Sequence, residues 1–143
     1  MLMEVSQVVN APPEKVYAAY TDFEATPKWS RRIREVRVTR REGDVVYLEN
    51  ETVSKGKEKT VAGELRLTPP SKVESQSETR FTRTKRVVTF MAAPEGTKVT
   101  ATLDIEMKGA WGVVLSPKAN KEKAEASALE ELVSFARYAE SLP

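Results

Sequence analysis

From Ile33 to Met107, apolar and polar residues alternate with a period of two, the pattern of strands with one wet face and one buried face. The last run is the most regular: Val99, Ala101, Leu103, Ile105 and Met107 oppose Thr100, Thr102, Asp104 and Glu106. Likewise Val61, Gly63, Leu65 and Leu67 oppose Ala62, Glu64 and Arg66, while Val36 and Val38 oppose Glu35, Arg37 and Thr39. Turn signals at Glu42-Gly43-Asp44, Ser54-Lys55-Gly56-Lys57, Pro69-Pro70-Ser71, near Thr79 and at Pro94-Glu95-Gly96 cut the run into an antiparallel meander. A further strand precedes it, with Met3, Val5, Gln7 and Val9 set against Glu4, Ser6 and Val8.

Between the first strand and the meander, Asn10-Ala11-Pro12-Pro13 stops one element and starts a short helix, with proline in its first turn. Asp22 is placed to cap a second short helix through Phe23 and Ala25, which Pro27 is expected to end. Beyond the meander the period changes. Ala124, Ala128, Leu132, Phe135 and Ala139 recur at spacings of three and four, which predicts a long amphipathic helix from the N-cap Ser116 and Pro117 to Ser141. Its apolar face is largely alanine, so it either lies close on a sheet or leaves room beneath. The expectation is a cavity of several hundred cubic ångströms, the usual scale of ligand sites. The element order predicts an α+β domain over residues 1–143: a curved antiparallel sheet of about seven strands around a long C-terminal helix, with two short helices after the first strand.

Composition narrows the chemistry. With 40% hydrophobic and 31% charged residues among 143, the chain reads as a globular protein with a real core. It has no Cys and no His, which excludes disulfides, thiol nucleophiles, imidazole bases and the usual zinc and haem ligands. No metal or cofactor is expected, and catalysis would rest on carboxylates, Tyr, Lys or Arg. The N-terminus lacks a signal-peptide pattern, and the longest apolar run, Ala110 to Leu115, is too short to span a bilayer. A cytoplasmic protein is expected.

The chain resembles the START-like superfamily, the helix-grip proteins that include polyketide cyclases, coenzyme Q-binding proteins and birch-pollen-allergen-like proteins. The residues that carry the resemblance are Val9-Asn10-Ala11-Pro12-Pro13-Glu14-Lys15-Val16-Tyr17, Thr21-Asp22-Phe23, Pro27-Lys28-Trp29-Ser30 and Phe90-Met91-Ala92-Ala93-Pro94-Glu95-Gly96-Thr97-Lys98-Val99-Thr100. The resemblance implies an apolar cavity between sheet and long helix, with mouth and wall positions near Phe23, Trp29, Ile33, Leu103, Met107, Trp111, Leu132 and Phe135. Leu65, Phe90 and Ala128 extend this candidate lining. It transfers no catalytic motif, and the superfamily hosts lipid carriers, cyclases and a ribosome-associated group.

Asn50, Thr52, Ser75 and Ser77 are the inward polar candidates, with no inward carboxylate identified. Before the turn at Pro94, inward Val88 and Phe90 would carry Arg86 and Thr84 inward as well. A β-bulge near Val87, the favoured reading, would instead turn Arg86 outward to join Arg83 and Lys85. The apolar tip Ala110–Leu115, followed by Lys118, Lys121 and Lys123, is a candidate for transient contact with a membrane surface. The arginine clusters at 31–41 and 80–86 would admit RNA or a ribosome. That partner is disfavoured, because neighbouring glutamates are placed to pair with them and the net charge is only +2. The expected function is binding of a hydrophobic or amphipathic small molecule such as a lipid, quinone or polyketide-like aromatic, as carrier or sensor. A cyclase- or dehydratase-like enzyme is the alternative. Ligand identity and oligomeric state are not readable.

Overall fold

The computed structural model describes residues 2–54, 56–108 and 117–143, without the side chains of Ser54 and of residues 117–120. Its elements are β1 (Leu2–Val9), α1 (Pro13–Thr21), a 3-10 helix (Phe23–Lys28), β2 (Ile33–Glu42), β3 (Val45–Ser54), β4 (Lys57–Thr68), β5 (Lys72–Glu78), β6 (Thr82–Ala93), β7 (Gly96–Met107) and α2 (Pro117–Ser141). The strands form one antiparallel sheet in the order β1-β7-β6-β5-β4-β3-β2. Strands β2 to β7 form a hairpin meander, and β1 closes the far side by pairing with β7. This is the curved sheet and long helix that the alternation predicts. The Asn10–Pro13 punctuation becomes the start of α1, with Pro12 at the N-cap.

Two local expectations are corrected. Asp22 sits at the N-cap of the 3-10 helix, but its side chain makes no capping hydrogen bond. Pro27 lies inside that helix, which runs on to Lys28, because the tighter 3-10 turn has already left the i→i−4 pattern that proline breaks. Register shifts do occur, but in β2, between Ile33 and Glu35 and between Val38 and Arg40. Strand β6 pairs with β5 and β7 without a shift along its length.

The C-terminal half of α2 supplies the grip. Leu132, Phe135, Ala136 and Ala139 are buried, and the helix packs on β1 and α1. Two hydrogen bonds fasten its end: the Asn10 amide donates to Glu140 Oε2 at 2.8 Å, and Lys15 Nζ donates to the Leu142 carbonyl at 2.6 Å. An aromatic cluster fills the space beneath. The Phe135 ring meets Trp29 at 5.1 Å and Tyr20 at 5.4 Å between centroids, and Tyr20 meets Phe90 at 5.5 Å. Edge-to-face contacts of this kind add to area burial.

The outer sheet face is laced with ion pairs. Arg37 meets Glu35, Glu49 and Glu51, Arg83 meets Glu78 and Glu106, Arg40 meets Glu42, and Arg34 meets Glu58. The Glu51 and Glu49 carboxylates hold the Arg37 pKa above its ordinary value. Much of the basic clustering at 31–41 and 80–86 is therefore matched by acidic neighbours. Lys121 and Lys123 are exposed, whereas the tip Ala110–Leu115 and Trp111 within it lie outside the described residues. No helix among the described residues is long and apolar enough to cross a membrane.

Candidate ligand-binding cavity

The inner faces of the strands change character along their length. Near α1 they present Val46, Leu48, Leu65, Val73, Val88 and Phe90, all buried. Toward the opposite end the same faces continue as Asn50 and Thr52 on β3, Ser75 and Ser77 on β5, and Thr84 and Arg86 on β6. Alternation places Asn50 two positions from Leu48, Ser75 two from Val73 and Arg86 two from Val88, so this gradient is written directly into the strands.

At this transition lies a cavity of about 250 Å³. Tyr20, Phe23, Trp29, Ile33, Val36 and Leu48 supply its apolar side, and the six polar residues named above line the other. Leu65 and Gly63 on β4 lie between them. Among the described residues Glu131 is the one α2 residue on the wall, and its Oε1 accepts a 2.7 Å hydrogen bond from the buried Ser30 hydroxyl. Trp29 and Glu131 also line a groove of about 650 Å³ on the outside, between the segment before β2 and α2. These two side chains therefore stand in the wall between cavity and groove. Among the described residues the buried Trp29 indole N–H has no hydrogen-bond partner. Nor, among them, has the buried Tyr17 hydroxyl, whose pKa is raised by burial and then by the charge of Asp44.

Residues 9–126 match the family described as polyketide cyclase / dehydrase and lipid transport. The chain belongs to that family. Its fold is that of TTHA0849 from Thermus thermophilus, with a TM-score of 0.83 at 22% identity over 97% of both chains. A START superfamily protein from Mycobacterium smegmatis gives 0.83 at 17% identity over 99% of both. The Zhui aromatase/cyclase from Streptomyces sp. R1128 gives 0.81 at 15% identity, over 98% of this chain and 93% of that one. No curated protein sequence matches.

In this member of the polyketide cyclase / dehydrase family, eight of the candidate positions line the cavity: Phe23, Trp29, Ile33, Leu65, Asn50, Thr52, Ser75 and Arg86. Phe90, Leu103, Leu132 and Phe135 are buried in the core instead. Ala128 packs at its edge, and Met107 is half-buried opposite Thr82 at the end of β7. The cavity is smaller than expected, and the rings of Tyr20, Trp29, Phe90 and Phe135 pack together in the core. The reading of a bulge near Val87 is overturned: unbroken pairing keeps Arg86 and Thr84 on the inner face with Val88 and Phe90.

The reading of no inward carboxylate is corrected by Glu131. It lies three positions after Ala128 and four before Phe135, so the helical period had already set it beside the apolar face. Among the described residues no cluster of His, Cys, Asp or Glu is arranged to hold a metal ion.

Proposed function

We propose that this protein binds a hydrophobic or amphipathic small molecule in the cavity, as a carrier or sensor. The observation that carries the reading is a cavity with an aromatic and aliphatic side facing a polar one, the usual make-up of a small-molecule site. At about 250 Å³ it sits just below the common range of about 300–1,000 Å³. It therefore suits a compact ligand, one or two ring systems or a short chain, better than a long-chain lipid. Membership of a family that covers lipid transport agrees with binding, and a cytoplasmic carrier is the simplest form of it.

Native mass spectrometry of the purified protein tests this, together with titration by the neutral dye N-phenyl-1-naphthylamine. A retained small molecule, or saturable one-to-one dye binding, supports the reading. Absence of both removes it.

A cyclase-like reaction is the second reading, favoured by one observation. Glu131 and Arg86 line the same cavity, so a proton acceptor and a fixed positive charge face one space. Turnover of a linear polyketide that drops in Glu131→Gln, with dye binding retained, would move the assignment to an enzyme.

A further inference from the structure

Resting on this cavity reading, we infer that Arg86, with Ser75, Ser77 and Thr84, forms a subsite for the oxyanion of the ligand, a carboxylate or a phosphate. The placement of Arg86 is the starting point. One register row crosses six strands, pairing Met3 with Leu103, Leu103 with Arg86, Arg86 with Ser75, Ser75 with Leu65, and Leu65 with Val46. Met3, Leu103, Leu65 and Val46 are all buried, at 2%, 6%, 8% and 0% exposure. A guanidinium in such a row loses part of its water, and an unpaired charge there is costly unless something meets it.

Nothing among the described residues does. Arg31, Arg34, Arg37, Arg40 and Arg83 on the outside each have a glutamate. Among the described residues, Arg86 makes no ion pair or hydrogen bond. Nor do the side chains of Ser75, Ser77 and Thr84, which sit beside it in the same and the neighbouring row. One face of the cavity thus offers a forked cation and three hydroxyls whose hydrogen-bonding capacity the fold does not use. That set fits a group with two or three acceptor oxygens, met bidentately by the guanidinium. Glu131 lies on the α2 side of the same cavity and repels an anion. The charged end of the ligand therefore points at the sheet, and its apolar body lies against Phe23, Trp29 and Ile33.

The test compares 1-anilinonaphthalene-8-sulfonate with N-phenyl-1-naphthylamine, the same ring system without the sulfonate, on wild type, Arg86→Met and Arg86→Lys. In Arg86→Met the ratio of sulfonate to neutral affinity is expected to fall by about tenfold to a hundredfold. Arg86→Lys retains part of the preference, since it keeps the charge and loses the fork. Displacement of the sulfonate dye by 1-naphthoate against 1-naphthyl phosphate tells which oxyanion the subsite prefers. An unchanged ratio in Arg86→Met overturns the subsite and leaves the cavity standing. Failure of both dyes to bind wild type overturns the cavity reading and the subsite with it. If Arg86→Met does not fold, Arg86→Lys and the wild-type displacement series still decide: displacement no better by 1-naphthoate or 1-naphthyl phosphate than by neutral naphthalene refutes the subsite.

Discussion

Ser30 and Glu131 join the segment before β2 to the middle of α2 through a single 2.7 Å hydrogen bond, hydroxyl to carboxylate, at the edge of the cavity. Ser30 is 4% exposed, so its hydroxyl has little water to turn to if the bond is lost. A hydrogen bond to a charged group contributes more than a neutral one, and Ser30→Ala is expected to cost about 1–3 kcal/mol by urea denaturation. A loss under about 0.5 kcal/mol would show that α2 is held there by packing alone.

The cavity can be filled from the sheet. Gly63 faces it from β4, and a Cβ built there meets Leu48 Cδ1 at 3.4 Å and the Gln76 carbonyl oxygen at 4.0 Å. Gly63→Val is therefore expected to fold, with a stability equal to or above wild type, since glycine weakens a strand interior. Its affinity for N-phenyl-1-naphthylamine should fall by about tenfold or more through occupied volume. Unaltered dye binding in a folded variant would place the dye elsewhere.

Gly96 offers the opposite case. Its φ of +144° is one that side chains rarely adopt, and a Cβ there would overlap the Val9 carbonyl oxygen and lie 2.8 Å from the Ala11 nitrogen. Next to it the buried Thr97 hydroxyl donates to the Ala11 carbonyl at 2.7 Å, which pins β7 against the β1–α1 connection. Gly96→Ala is expected to destabilise by about 3 kcal/mol or more, from backbone strain and overlap together. A midpoint in urea within error of wild type would contradict this.

Phe135 is fully buried among Tyr20 and Trp29, so Phe135→Ala should cost about 3–5 kcal/mol. Trp29 loses one of its ring partners in the same variant, and in a Trp111→Phe background its fluorescence should shift to the red as water reaches the indole. A stable variant with unshifted emission would mean that the cluster closes over the gap.

The acid limb of stability should involve Glu78. Hydrogen bonds from Arg83 and then Lys108 hold its pKa below the ordinary value of 4.5. A depressed carboxylate stabilises the folded state above the unfolded value, and this contribution disappears as pH falls through the folded one. Wild type should therefore lose more stability than Glu78→Gln between neutral pH and the region below 4.5. Parallel pH curves for the two proteins would exclude the pairing as a contributor. The effect is small, because the group is exposed.

Strand faces were legible wherever alternation was unbroken, as in β7, where Val99, Ala101 and Leu103 are buried as their spacing predicts. Turn chemistry placed the hairpins. Arg86 was harder, because Val87 beside Val88 blurs the period locally, and only pairing with both neighbours resolves which valine faces in. The division between cavity wall and core was not legible at all. Phe90 and Phe23 are both inward aromatics, and which one borders open space depends on how Tyr20, Trp29 and Phe135 pack in three dimensions. Glu131 was overlooked for a different reason. A charged residue beside an apolar helical face is normally a solvated edge, and only the contact with Ser30 shows that this one looks inward.

The pairing of β1 with β7 has a consequence for how the chain is made. Strands β2 to β7 each find a partner in the hairpin just synthesised, so the meander can zip up in step with translation. Leu2 to Val9 pair with Asp104 to Thr97 and must wait for them. Closing so long a loop costs entropy that no local contact offsets in advance, so of all the strand pairings this one spans the greatest separation in sequence. Until β7 leaves the ribosome, the first strand made is a hydrogen-bonding edge with nothing to bond, and Met3 and Val9, later among the most buried side chains, stand in water.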